Sequence, residues 1–177
     1  MKKFFYFLLL FVAFSNAAQA FEPAIKSYKF CNYYEFKFAF LKIYDVFLCN
    51  NQTKNPDLKN LYSQDFALVI KYSQNIKSQK LVETSIDEIK KTNQLNDATK
   101  QSYTKKLAQI FPNVKTEDVI IASYQASSCQ TIFTLNNKKT GEISECDFSQ
   151  KFLNIWLGQK VSYPKMRDAL LNQSLVN

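Results

Sequence analysis

Lys37, Tyr44 and Tyr72 are the side chains best suited by type to hold a polar ligand group: one ammonium and two phenolic hydroxyls, each within or beside a run of strand-forming residues. Such a set can orient a carboxylate or a carbonyl. The plainer reading of Tyr44 and Tyr72 is that of strand aromatics whose hydroxyls find partners within the fold. More demanding chemistry is excluded by what the 177 residues lack. With no histidine there is no Ser-His-Asp triad, no Cys-His pair and no HExxH zinc helix, and no metal site or cofactor is expected. Gly141 and Gly158 are the only glycines, so neither a G-x-G-x-x-G turn nor a P-loop is present. Asp87 and Glu88 adjoin on a helical stretch and point in different directions, so they make no carboxylate pair for acid–base work.

Cys31, Cys49, Cys129 and Cys146 contain no C-x-x-C spacing, which removes a redox motif and a zinc knuckle. The strand pattern suggests how they pair. Residues 27–38 and 40–49 are rich in Phe, Tyr, Ile and Val with a reversal near Ala39, which brings Cys31 beside Cys49. Residues 130–135 and 140–145 flank Asn136-Asn137, a pair suited to a positive-φ turn, which brings Cys129 to Cys146. Disulfides Cys31–Cys49 and Cys129–Cys146 are therefore expected; the alternative is four buried thiols.

The N-terminus reads as an address. Lys2 and Lys3 precede an apolar run from Phe4 to Phe14, too short to span a bilayer comfortably, and Ala18-Gln19-Ala20 is a small-x-small cleavage signal. Residues 1–20 are expected to be a signal peptide and residues 21–177 one domain, exported to the periplasm of a Gram-negative bacterium. An uncleaved anchor is the alternative. No later segment reaches the ~18 apolar residues of a membrane span. Loss of Lys2 and Lys3 would take the formal net charge from +8 to +6. The basic residues are scattered lysines, with Arg167 the single arginine, which is unlike the clustered Arg forks of nucleic-acid surfaces. No nucleic-acid partner is expected, while weak attraction to an anionic membrane surface stays open.

The elements that must position these residues follow from periodicity. After the two aromatic strands, residues 50–64 read as a loop and Phe66 to Tyr72 as a strand. Val82, Ile86 and Ile89 fall at helical spacing, with Ser78 available as N-cap. Tyr103, Leu107, Ile110 and Phe111 mark a second helix, capped by Asn96 or Asp97 and ended by Pro112. Val119 to Tyr124 is a strand before the Asn136-Asn137 hairpin. Phe148, Phe152, Ile155 and Trp156 mark a third helix closed by Gly158 as a C′ glycine, and Pro164 opens a fourth. Segregated runs of strands and helices imply an α+β fold, with helices on one face of a mostly antiparallel sheet.

Several stretches, in order along the chain, resemble the chalcone isomerase-like family. Residues 40–48 resemble its F-K-V-Y-x-A-x-L-Y strand and residues 68–76 its L-R-Y-x-R-D-I segment; residues 85–89 match the helix that follows. Residues 110–118 resemble L-F-P-D-V-K-x-G-D, and residues 133–138 resemble F-Y-L-N-G-K. Residues 152–158 resemble F-x-x-I-W-L-G, and residues 166–171 resemble L-R-x-A-L-L. The exported bacterial branch is the nearest in character. The resemblance implies an open-faced β-sandwich, a large sheet with helices packed on one face and a ligand cleft between them. In the plant enzymes of the family that cleft closes a chalcone ring with the aid of Arg, Thr, Tyr and Asn side chains. Relatives of the same fold bind fatty acids.

Carried over residue by residue, the enzyme set is not reproduced. The stretch that bears the family's Arg corresponds to residues 32–37, where Lys37 is the nearby cation, and a compact ammonium does not copy a planar fork. The Thr falls on Tyr44. The helical Tyr and Asn fall near Leu81 and Glu88; Leu81 has no donor, and Glu88 would set a carboxylate beside a phenolate. The expectation is a non-catalytic protein that binds a fatty-acid-like or other apolar carboxylate, with Lys37, Tyr44, Tyr72 and Glu88 facing the ligand. An intramolecular lyase or isomerase and a cell-envelope interaction protein are the competing readings.

Overall fold

The computed structural model describes residue 22 and residues 24–52, 58–93 and 95–172. The segment 1–20 read as a signal peptide lies outside the described residues. Strands β1 (Phe30–Phe38), β2 (Leu41–Asn50), β3 (Phe66–Tyr72), β4 (Val119–Gln125), β5 (Gln130–Leu135) and β6 (Lys138–Ile143) form one sheet in chain order, each antiparallel to its neighbours. Helices α1 (Ser78–Thr92) and α2 (Asp97–Ile110) lie between β3 and β4, and α3 (Cys146–Leu157) and α4 (Pro164–Leu170) follow β6. This is the α+β open-faced layering expected from the order of elements. A 3₁₀ segment (Leu58–Ser63) precedes β3 in the stretch read as a loop.

Alternation along the strands decides which side meets the helices. Val46, Leu48, Leu68, Ile70, Ile120, Ala122 and Phe133 share one core with Val82, Ile86, Leu107, Phe152 and Leu170 of the helices. On the opposite face, Cys49, Ala67, Val69, Val119 and Ile121 form a smaller cluster covered by Ala24, Ile25 and Tyr28. That cover is why β1 begins at Phe30 rather than residue 27: the backbone N–H of Tyr28 donates to Ile25 O, and Ser27 Oγ to Ala24 O, in a turn. Near the first hairpin the outer face carries charge. Glu35 accepts from Lys37 and Lys42, and Lys42 also pairs with Asp45 at 2.8 Å.

Two turns of the same length join hairpins. Leu135 pairs with Lys138 around Asn136 and Asn137, and Phe38 pairs with Leu41 around Ala39 and Phe40; all four turn residues have positive φ. The compact first of these places β6 at residues 138–143, two residues earlier than its sequence pattern suggests.

Both expected disulfides are present. Cys31 and Cys49 are direct cross-strand partners with Cα atoms 4.1 Å apart. Cys129, just ahead of β5, joins Cys146, the first residue of α3, at a Cα separation of 4.7 Å. The second bridge fixes the start of α3 on the sheet, and Ser149 of that helix also donates to Cys129 O at 3.0 Å. Gly158 corrects an expectation: it caps α3 with φ −69°, outside the left-handed region of a C′ glycine. A β-carbon there would come within 2.7 Å of Asn154 O, so close approach rather than handedness favours glycine.

The double substitution Cys129→Ser with Cys146→Ser is expected to lower unfolding free energy by about 3 kcal/mol in a urea titration, since each bridge closes a short loop. An unchanged midpoint would show that the side-chain contacts of α3 suffice to fix it.

Candidate functional site

Helix α1 carries two stripes. Val82, Ile86 and Ile89 are buried, and the close packing of α1 is against α2 and α3 rather than the strands. Its second stripe, Lys80, Leu81, Thr84, Ser85 and Glu88, faces the sheet across a cavity of about 650 Å³, which Lys77 at its N-cap also lines. That volume suits a small-molecule site. Leu68, Ile70, Ile120 and Ala122 form its floor, and Phe111, Phe152, Ile155 and Met166 its far walls.

Both ends of α1 are pinned from neighbouring loops. Asn113 Oδ1 accepts from the Ser78 backbone N–H at 2.8 Å, doing the N-capping expected of Ser78 itself, while Ser78 Oγ donates to Phe111 O at 2.5 Å. An isolated bridge between Ile76 and Val114 adds two backbone hydrogen bonds of 2.9 Å. At the other end Ser162 Oγ donates to Glu88 Oε2 at 2.5 Å, and Lys91 Nζ lies 2.6 Å from Glu88 Oε1. Helix α2 is in turn held to α3 by Tyr103, whose hydroxyl donates to Asp147 at 2.6 Å and whose ring meets Phe148 edge-on at 4.7 Å.

A β-bulge shapes the end of the cavity beside the first hairpin. Phe36 pairs with Tyr44 and Lys37 with Lys42, leaving Ile43 as the extra residue of β2. Ile43 and Tyr44, though consecutive, both line the cavity. Phe36 stacks on Tyr44 with ring centroids 4.8 Å apart and meets Tyr163 edge-on at 4.6 Å. Trp156 Nε1–H donates to Tyr44 Oη at 3.3 Å, and the Tyr44 hydroxyl donates to Met166 Sδ at 3.8 Å, a weak contact. Tyr72 is buried and lines the cavity, yet its hydroxyl makes no hydrogen bond to any described residue. Burial pushes both hydroxyls well above the ordinary tyrosine range; for Tyr44 the Trp156 N–H acts in the opposite direction without reversing it. Both stay neutral at physiological pH and offer hydrogen bonds, not phenolate charge.

Of the residues expected to face a ligand, Tyr44, Tyr72 and Glu88 line the cavity and Lys37 does not. Lys37 falls between inward-facing Phe36 and Phe38, so alternation turns it to the outer face, where its ammonium lies 2.5 Å from Glu35. The cations at the cavity are Lys77 and Lys80, neither in an ion pair with a described residue. They sit on the polar stripe of α1, at helical spacing with Leu81, Thr84 and Glu88. That periodicity was the available signal, obscured by the stronger Val82–Ile86–Ile89 pattern.

A profile of chalcone isomerase-like proteins matches residues 36–172, a span that includes every cavity-lining residue. The chain belongs to the chalcone isomerase-like family. An uncharacterised protein of Haemophilus influenzae is 30% identical over 110 residues, which make up 62% of this chain and 53% of that protein. The match therefore spans about half the length of that relative. Among solved structures, a fatty-acid binding protein of Arabidopsis thaliana superposes with a TM-score of 0.58 at 8% identity, over 82% of this chain and 86% of that one. At such identity the likeness is one of fold. Within this chalcone isomerase-like cleft, Leu81 and Glu88 occupy the helical wall, and Glu88 spends both oxygens on Ser162 and Lys91.

Tyr44→Phe and Tyr72→Phe are each expected to leave the ultraviolet absorbance titration unchanged below about pH 11, because neither buried hydroxyl ionises where an exposed tyrosine would, at about pH 10. Loss of an ionisation near pH 10 in either variant would show that its hydroxyl is hydrated in solution.

Proposed function

We propose that the protein binds an amphipathic carboxylate of the fatty-acid class in the cleft between α1 and the sheet, without catalysis. The observation that carries this reading is the division of the cavity wall: an apolar floor and far walls, with polar groups gathered where β3 ends and α1 begins. Tyr72 closes β3 and Lys77 precedes α1 by one residue, and both line the cavity with Lys80, so its wall carries a free hydroxyl and two ammoniums in no ion pair with a described residue. An alkyl chain on the floor gains burial at roughly 0.8 kcal/mol per methylene. A carboxylate at that end accepts from Tyr72 and is balanced by the lysines, avoiding an uncompensated buried charge. Tyr44 walls the same region as a neutral donor, and Glu88 braces the rim.

The kinship with a fatty-acid binding protein in fold supports this reading, as does the absence of the isomerase set. The stretch where the family's Arg is expected has only Lys37 as its cation, which faces away, and the family's helical tyrosine falls near Leu81. A chalcone cyclisation assay is thus expected to give only background rates.

Binding is tested by titrating the protein with oleate. One fatty acid per chain is expected. Tyr72→Phe should weaken it at least about tenfold, the worth of one hydrogen bond to a charged acceptor, and Leu81→Trp should abolish it by filling the gap under α1. A wild-type protein without affinity for oleate, or a Leu81→Trp variant that still binds, would overturn the reading.

We also propose export to the periplasm, with removal of residues 1–20. The support is the basic, apolar and small-x-small order of the N-terminus together with two disulfides, which persist in oxidising compartments. N-terminal sequencing of protein recovered from the periplasmic fraction is expected to begin at Phe21; recovery of the intact chain in the cytosol would contradict it.

A further inference from the structure

The β1–β2 hairpin ends in a feature that neither the core nor the cavity requires. Phe38, Phe40 and Leu41 are 62%, 102% and 54% exposed, so most of the large exposed apolar side chains among the described residues gather on one turn. The turn is also unfavourable as built. Ala39 and Phe40 both hold positive φ, a conformation that non-glycine side chains resist, whereas the matching turn between β5 and β6 uses Asn136 and Asn137. A fully exposed Phe in the left-handed region adds nothing to folding, and an asparagine would serve the turn better. Phe38 extends from this tip into the lining of the cavity, where Lys77 and Lys80 lie.

We propose that this hairpin tip docks onto an anionic phospholipid bilayer, inserting Phe40 and Leu41 among the acyl chains while Lys77 and Lys80 meet the headgroups. Charge selects this partner. The carboxylates of the hairpin are already engaged, Glu35 by Lys37 and Lys42, and Asp45 by Lys42 and the Tyr33 hydroxyl at 2.8 Å. Glu88 is held by Lys91 and Ser162. Lys77 and Lys80 are left without a counter-charge beside an apolar tip, the pattern of a peripheral membrane contact. A second copy of a chain whose net charge stays strongly positive, +6 after loss of Lys2 and Lys3 from the full-length +8, would be repelled from the same surface. No helix among the described residues is long and apolar enough to cross a membrane, so the contact is made from one side. Docking in this orientation would bring the lining residue Phe38 to the lipid, letting an amphipathic ligand pass between bilayer and cleft. That consequence rests on the proposed ligand; the docking itself does not.

All four native cysteines are bridged, so Phe40→Cys supplies a single thiol for an environment-sensitive fluorophore on the full chain. The label is read against fatty-acid-free vesicles of phosphatidylcholine alone and of phosphatidylcholine with phosphatidylglycerol. A blue shift with the anionic vesicles is expected, weakened more than about tenfold by Lys77→Gln with Lys80→Gln and diminished at high salt. Labels placed instead at Asn136→Cys, on the other hairpin of the sheet, should not respond. An unchanged spectrum at position 40, equal responses to both vesicle types, or a response to protein concentration without lipid would each overturn the proposal. Because no fatty acid is present, a failure here is separable from a failure to bind oleate.

Discussion

Helix α1 buries Val82, Ile86 and Ile89 in a core shared with α2 and α3, and this contact holds its remaining stripe away from the strands. A helix free to settle would close the gap, because an empty apolar space forfeits contacts on every wall. Three constraints oppose settling. Asn113 and Phe111 O fix the first turn, Ser162 fixes Glu88 in the third, and the Tyr103–Asp147 and Cys129–Cys146 links keep the α2–α3 support rigid. The cavity is therefore a property of how the helices brace each other, and only secondarily of the side chains that line it.

The bulge at Ile43 is the second determinant. By turning two consecutive residues of β2 to the same side, it brings Ile43 into the wall beside Tyr44 and sends Lys42 to the outer face, where Lys37 of β1 already points by alternation. One irregular residue thus separates a charged outer surface from an apolar inner wall. Lys37, the cation in the stretch where the resemblance expects an Arg, points by alternation to the side that holds Glu35.

Much of this was legible in the sequence, for reasons specific to each element. The disulfides follow from local hairpins, whose reversal points Ala39 and Asn136-Asn137 announce. The four helices follow from spacing, and Asn96 caps α2 as its type suggests, accepting from the Thr99 backbone N–H at 2.8 Å. The inward face of Tyr44 and Tyr72 follows from alternation with Val46, Leu48 and Ile70. For Lys37 the resemblance points inward, whereas the same alternation, read against Phe36 and Phe38, assigns it outward. The gap under α1 had no local signature: it depends on hydrogen bonds between residues far apart in sequence, such as Ser78 with Asn113 and Glu88 with Ser162. At Gly158 the commonest reason for a helix-ending glycine, a left-handed backbone, does not apply; contact with Asn154 O is the reason here.

The missing histidines acquire a different meaning once the cavity is seen. Their absence first excludes reaction classes, yet a chalcone isomerase-like cleft needs none of them. What matters is that no imidazole titrates in the wall and that burial holds Tyr44 and Tyr72 in the neutral form. Acid–base catalysis would want a group poised near neutral pH, and burial has moved these hydroxyls in the opposite direction. A binding site has the reverse requirement. A neutral hydroxyl on a cavity wall is a donor whose strength does not vary with ordinary changes of pH. For the ligand proposed here, the environment that keeps Tyr72 neutral is the one that suits its hydroxyl to donate to a carboxylate.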